Sequence, residues 1–287
     1  MNSDAVARNL DSPLLSVVMP AYNERATIEE IIRRVAAVAI DMELIIVDDF
    51  STDGTREYLQ QLSRCDSFIG PQGSKGLRSL KVLFQDRNYG KGAALRRGFG
   101  AATGEIIVIQ DADLELDPQE YGKLIKPILD NEADVVYGSR FLQAASGVSD
   151  TPNYWGNRAL TAFSNLFTGL HLTDVWTGYK TFRREILDSV EFRENRFAFE
   201  PEFTAKIARQ SWRVCEVPVS YSCRTLKEGK KISWKDGFRG FVCTFYYGSL
   251  CLFKADRRAP VPRVALKSVP NAIHETQAVS IGTKPSL

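Results

Sequence analysis

Residues Ile106 to Glu115 read IIVIQDADLE, a continuous apolar run that stops at two aspartates. Such a run fits a strand buried on both faces, as in a parallel sheet covered by helices. Side chains alternate along a strand, so if the chain stays extended Asp111 and Asp113 point to one side and can face one ligand. Carboxylate oxygens suit a hard divalent cation. Mg²⁺ or Mn²⁺ held by one or two carboxylates commonly completes its shell with phosphate oxygens. An Asp-x-Asp pair is also common in surface turns, so the pair alone does not decide.

Two further segments repeat the pattern. Leu15 to Glu24 reads LSVVMPAYNE, a strand followed by a polar turn and a helix opening near Ala26. Glu43 to Thr55 reads ELIIVDDFSTDGT, an apolar run ending in acids and then a Ser/Thr/Asp/Gly turn. Ligands of open parallel sheets bind outside the carboxyl ends of the strands, where all three polar segments fall. Ile28, Ile31, Ile32 and Val35 recur at helical spacing, as do Ala94, Leu95 and Phe99 after Gly90-Lys91-Gly92. Alternating strands and helices predict an α/β fold with right-handed crossovers.

Pro20-Ala21-Tyr22-Asn23-Glu24, Asp48 to Thr55, Asn88-Tyr89-Gly90-Lys91-Gly92 and Asp111 to Glu115 occur in that order. Together they resemble the inverting family 2 glycosyltransferases of the GT-A fold, and most of all the dolichyl- or polyprenyl-phosphate mannosyl and glucosyl transferases. The resemblance runs from about Leu14 to about Trp234. It implies an α/β, Rossmann-like, mostly parallel central sheet with helices on both faces, a nucleotide-sugar donor (GDP-mannose or UDP-glucose), a divalent metal and a polyprenyl-phosphate acceptor. Pro20, Tyr22, Glu24 and Asp49 are then expected at the nucleoside, Lys91 at nucleotide or phosphate, Asp111 at the sugar, and Asp113 with Glu115 at the metal. Plainer readings stay open beside these. Asn23 or Thr27 caps the following helix, Asp48 is a strand-end turn residue, Lys91 is a solvated lysine, and Glu115 is an exposed acid before Asp117-Pro118.

The second half is expected to face the acceptor. Val135 to Arg140 reads as a buried strand ending in an arginine, Leu142 to Asn153 as a mobile loop, and Trp155-Gly156-Asn157-Arg158 leads into an apolar helix through Leu166 and Leu170. The resemblance puts Arg140 and Arg158 on the acceptor phosphate, whose oxygens a guanidinium fork matches; either could instead pair with a neighbouring acid. Arg224 and Lys230 (or the adjacent Lys231) correspond to cations near the diphosphate, the alternative being a solvated basic loop. A hydroxyl acceptor needs a carboxylate general base, and Glu200 or Glu202 would be the one; a lipid phosphate is already anionic and needs none. Asp174 would shape the acceptor wall. A soluble or carbohydrate acceptor, and a non-catalytic or pyrophosphorylase-like nucleotide binder, are the rival functions.

Composition is compatible with this reading. The chain has 287 residues, 44% of them hydrophobic, enough for one large core. A net charge of +2 argues against a nucleic-acid partner. Cys65, Cys215, Cys223, Cys243 and Cys251 form no CxxC pair, which fits reduced thiols in a cytosolic setting. Met1 to Pro13 is polar, a flexible N-terminus without a signal-peptide pattern. The domain reading is 1–13 as that terminus, 14–234 as the glycosyltransferase domain, 235–256 as an amphipathic helix and 257–287 as a flexible tail. Gly240 to Phe253 is a 14-residue run without charge but rich in aromatics. About 20 apolar residues span a bilayer, so an interfacial helix is the expectation, with a core or dimer helix as alternative. The chain is thus expected to sit peripherally on the cytoplasmic face of a membrane, as a monomer or homo-oligomer.

Overall fold

The computed structural model describes residues 12–64, 76–142, 152–210, 212–222 and 234–252. Elements alternate along the chain: β1 (Leu15–Ala21), α1 (Ile28–Ala36), β2 (Met42–Asp48), α2 (Thr55–Leu62), β3 (Leu77–Phe84), α3 (Lys91–Phe99), β4 (Ile106–Ile109), α4 (Tyr121–Leu129), β5 (Val135–Ser139), α5 (Pro152–Thr168), β6 (Lys180–Arg183), α6 (Ile186–Ser189), α7 (Phe199–Arg209), β7 (Val214–Pro218) and α8 (Trp234–Leu252). Seven strands form one sheet in the order β3-β2-β1-β4-β6-β5-β7. Every neighbouring pair is parallel except those made by β6, which runs antiparallel to both β4 and β5.

The unbroken apolar runs are explained by two cores, one on each face of the sheet. On β1, Leu15, Val17 and Met19 pack with Ile28, Ile31, Ile32 and Val35 of α1 and Leu124, Ile125 and Ile128 of α4. Val18 turns to the other face with Ile45 and Val47, against Ala94, Leu95 and Phe99 of α3 and Phe199, Phe203 and Ile207 of α7. Period-two alternation divides each strand between the cores. Gly98 brings α3 against β1: a Cβ there would overlap Val18 Cγ1.

The chain leaves β1 towards β2 and β3 on one side, and β4 lies on the other. Strand order therefore reverses between β1 and β4, leaving a crevice at their carboxyl ends. Val18 pairs with both Ile45 and Ile109, and the Gln110 amide continues the ladder by donating to the Val18 carbonyl at 3.0 Å. Asp48-Asp49 and Asp111 thus leave the two strands that flank β1 at nearly one level.

One expectation on the second half changes. Helix α5 ends at Thr168 because Gly169 (φ +67°) and His171 (φ +55°) take left-handed conformations, so Leu170 lies beyond it. Leu166, within the helix, is 74% exposed. Most of the loop expected after Leu142, residues 143–151, lies outside the described residues, as do 1–11 and 253–287. Cys215 and Cys243 are free thiols, and burial pushes Cys215 up to about 12.

Gly98→Ala is expected to destabilise by about 1–3 kcal/mol through overpacking. Gly122→Ala, on α4 with open space around the new methyl, is expected to stabilise by up to about 1 kcal/mol. Urea denaturation of both variants checks the pair.

Candidate active site

Two turns at the carboxyl ends of β1 and β2 are bonded into one surface. Asn23, at φ +52°, donates its amide to Ser51 Oγ at 3.0 Å and accepts from the Thr52 amide at 2.8 Å. The Glu24 amide donates to Thr55 Oγ1 at 2.9 Å and the Arg25 amide to Asp53 Oδ2 at 3.0 Å. Neither Asn23 nor Thr27 caps α1. Thr27 stands at the cap position, but its hydroxyl lies 2.9 Å from both Glu24 Oε2 and the Ala112 carbonyl, and donates to one at a time. This hydroxyl links the first turn to the Asp111-Ala112-Asp113 corner. Pro20, next to last in β1, is half-buried, and Tyr22 just beyond the strand is 36% exposed. Phe50 is held at φ +66°, uncommon for a bulky residue, with Arg56 5.3 Å from its ring.

Asp48 is fully buried, paired to Arg56 at 2.9 Å and accepting from the Ser51 amide, so it serves as the turn residue. Asp49 is also buried, and its carboxylate accepts from the Tyr89 amide (2.8 Å), the Gly90 amide (2.7 Å) and Gln85 Nε2 (2.7 Å). Burial raises its pKa, against the pull of the two amides. Asp49 therefore shapes the Asn88 to Lys91 turn, and at most a small part of its acceptor capacity faces a ligand.

The glycines of that turn do not open the start of α3 to a ligand. Side chains at Gly90 and Gly92 would overlap the carbonyls of Asn195 and Glu194, and the Ala93 amide donates to Asn195 O at 3.0 Å. The 194–196 segment occupies the place where a phosphate would sit. Lys91 points the other way. Its ammonium lies 2.8 Å from Asp111 Oδ1 and 3.1 Å from Glu200 Oε1. Burial disfavours its charge, but the two carboxylates outweigh this and raise its pKa.

Asp111 is held from three sides. Gln110 accepts the hydroxyls of Tyr121 and Tyr179 at 2.7 and 2.9 Å and donates to the Asp111 carbonyl at 3.1 Å. Gly178 sits so close that a Cβ there would overlap Asp111 Oδ2. Asp113 and Glu115 share the next turn: the Glu115 amide donates to Asp113 Oδ1 at 3.1 Å, and Glu115 Oε2 accepts from Tyr221 at 3.0 Å. No group of three or more candidate metal ligands exists among the described residues. Two carboxylates in one turn, oxygen donors only, nevertheless fit Mg²⁺ or Mn²⁺, which takes one or two protein carboxylates and fills its shell from phosphate and water.

On the acceptor side the Arg140 fork is turned to an acid. Its Nε and Nη2 bind Asp174 at 2.6 and 2.8 Å, and Asp174, fully buried, is fixed by Glu216 through the Thr173 and Asp174 amides. The two-pronged face expected to grip phosphate is thus occupied, with Phe141 and Tyr221 on the guanidinium at 5.4 and 5.1 Å. Burial opposes the Arg140 charge, and Asp174 restores it and more. Arg158 is exposed on α5. Arg224, Lys230 and Lys231 lie outside the described residues. Glu200 and Glu202 stand in the first turn of α7 rather than before it, and both are buried and engaged. Glu200 pairs with Lys91 and Lys180, while Glu202 accepts from the Arg193 and Glu194 amides (2.8 Å each) and Lys206 (2.6 Å).

The model of the family described as "Glycosyl transferase family 2" matches residues 16–190, which include both stitched turns and the Asp111 corner. The chain belongs to this family. It is 30% identical to the undecaprenyl-phosphate 4-deoxy-4-formamido-L-arabinose transferase of Aeromonas hydrophila over 77% of this chain and 64% of that protein. It is 31% identical to the dolichol-phosphate mannosyltransferase of Pyrococcus furiosus over 75% of this chain and 58% of that one. The chain therefore spans less than two thirds of either relative. Glucosyl-3-phosphoglycerate synthase from Mycobacterium tuberculosis, solved with Mn²⁺, UDP and phosphoglyceric acid, superposes with a TM-score of 0.59. That likeness covers 83% of this chain and 79% of the other at 20% identity, and it shows the shared GT-A fold.

Within this family 2 domain, the Asp174 to Lys180 segment leading into β6 resembles the family in sequence, but sequence reasoning gave a role to Asp174 alone. Thr177-Gly178-Tyr179-Lys180 carries the Gly178 contact, the Tyr179 hydroxyl and the Lys180 partner of Glu200. Its signal was a buried-length motif containing a lysine, but only pairing with β4 shows its target. Gly178→Ala is expected to displace the Asp111 carboxylate and lower kcat/KM at least tenfold, about 1.4 kcal/mol or more. Thermal unfolding should change little. Steady-state rates of donor consumption alongside a melting curve check this.

Proposed function

We propose that the chain is an inverting, divalent-metal-dependent hexosyltransferase that uses a nucleotide-diphosphate sugar and delivers the sugar to a polyprenyl phosphate at a membrane surface. The observation that carries this reading is the state of the two candidate bases. Glu200 is 3% exposed between two ammonium groups, and Glu202 is fully buried among two amides and Lys206. A hydroxyl acceptor would need one of them to take its proton; an anionic phosphate attacks without a base. The named relatives, an undecaprenyl-phosphate and a dolichol-phosphate transferase, support the same acceptor class.

Asp113 and Glu115 would hold Mg²⁺ or Mn²⁺. When bound, such an ion neutralises the departing diphosphate as a Lewis acid. Tyr22 offers a half-exposed ring for the base, and Lys91 and Asp111 meet where the sugar would lie. GDP-mannose and UDP-glucose remain the donors to distinguish.

The surface of α5 and α8 supports the membrane part. Phe163 stacks on Phe241 at 4.4 Å and Phe167 meets Phe245 edge-on at 5.9 Å. Trp155, Leu166, Phe241, Val242, Phe245 and Tyr246 stay exposed along this seam. Arg158 lies one turn from Trp155 on α5, placing a cation beside the apolar surface, as suits a lipid phosphate. None of the described helices is long and apolar enough to cross a bilayer. These properties support an interfacial position, which we assign to the cytoplasmic face expected of the sequence.

Purified protein with Mg²⁺ or Mn²⁺, one donor at a time, and a short polyprenyl phosphate should yield lipid-linked sugar from one donor. Asp113→Ala and chelation should each lower the yield at least 100-fold. Nucleotide release without lipid product would replace the lipid with a soluble acceptor. Separately, Phe245→Glu with Tyr246→Glu should reduce sedimentation with anionic vesicles at least tenfold while leaving turnover of a water-soluble acceptor analogue within threefold.

A further inference from the structure

Four buried or half-buried charges alternate in a chain from the site into the core: Asp111, Lys91, Glu200, Lys180. Side-chain exposure falls inward along it, from 25% at Asp111 and 15% at Lys91 to 5% at Glu200 and none at Lys180. Only the outer pair faces the crevice. The inner pair is fixed by the protein: Lys180 also donates to the Thr177 carbonyl at 2.6 Å and stands 5.3 Å over the Tyr137 ring. A buried ion pair gives less stability than packed apolar side chains of equal volume, so stability alone is a weak reason for two in series.

The geometry explains what the inner pair does for the outer one. Lys91 is a flexible side chain with three N–H donors. Glu200 takes one and Asp111 another, which fixes the ammonium beside the Asp111 carboxylate. Lys180 sets how strongly Glu200 attracts Lys91. With Lys180 charged, Glu200 divides its attraction and Lys91 stays on Asp111. Without it, Glu200 draws Lys91 inward.

We propose that Lys180 is a positioning residue for the donor sugar: through Glu200 it holds Lys91 against Asp111, so that the pair offers adjacent sugar hydroxyls one cationic donor and one carboxylate acceptor. This deepens the proposed function and rests on its nucleotide-sugar donor. It also assigns Lys91 to the sugar rather than to the diphosphate, since the start of α3 is closed by the 194–196 segment.

The test is calorimetric titration with UDP-glucose against UDP and with GDP-mannose against GDP, each with Mn²⁺, which needs no acceptor. Lys180→Met should weaken the nucleotide sugar at least tenfold and the bare nucleotide less than threefold, and Lys180→Arg should stay within threefold of wild type. The double variant Lys180→Met/Glu200→Gln, which leaves no unpaired inner charge, should recover most of the loss. Equal loss for sugar and bare nucleotide, no loss at all, or a double variant no better than the single overturns the inference. Should Lys180→Met not fold, Lys91→Met is expected to lose the sugar-specific affinity and the double variant to keep it; equal loss in both overturns it. Wild-type protein that binds neither nucleotide sugar would overturn the proposed function, and this inference with it.

Discussion

An antiparallel strand set between two parallel ones governs the second half of this molecule. Strand β6 returns along β4, so the residues that enter it, 174–180, arrive at the end where β4 delivers Asp111. A parallel strand there would have brought its carboxyl end, and the residues after Arg183, to the crevice instead. From this single reversal follow the Gly178 contact on Asp111, the Tyr179 hydroxyl on Gln110, the Lys180 pair with Glu200 and the Asp174 wall that holds Arg140. Helix α7 completes the arrangement by placing Glu200 in its first turn, where the helix dipole favours an acid and two lysines surround it.

The donor half was largely legible in the sequence. Strand runs buried on both faces are long and apolar, and the acids that end them fall at the same sheet edge, so Asp49, Asp111 and Asp113 could be placed together before any contact was known. Local spacing did not reveal what those acids bind. Asp49 folds a turn 40 residues away through the Tyr89 and Gly90 amides, and Gly90 and Gly92 make room for carbonyls about 100 residues on, so a loop shaped like a ligand cradle is filled by the protein itself. Arg140 is similar: a fork suited to phosphate is equally suited to Asp174, and only the β6 reversal brings that acid within 2.8 Å. The exposure of Leu166 was not legible, because an apolar residue on a helix looks the same in sequence whether its partner is the protein or another surface.

The closed Arg140 fork and the engaged Glu200 bear on the same chemical problem from opposite sides. Joining a lipid phosphate to a sugar that carries a diphosphate brings two anionic groups together, and preorganised positive charge must offset their repulsion. Arg140 is already neutralised by Asp174 and so contributes a fixed dipole with a rigid edge more than a net charge. Arg158, exposed on α5 one turn from Trp155, keeps its charge at the apolar seam. On the proposed membrane surface a cation placed there would meet an anionic headgroup at the depth of the aromatic side chains, so recruitment of the acceptor and its charge compensation would fall to the same surface. This separates the two halves of the site by the kind of electrostatics they use. The donor half holds buried, mutually paired charges. In the proposed reading the acceptor half would rely instead on exposed positive charge such as Arg158, and would need no carboxylate to take up a proton.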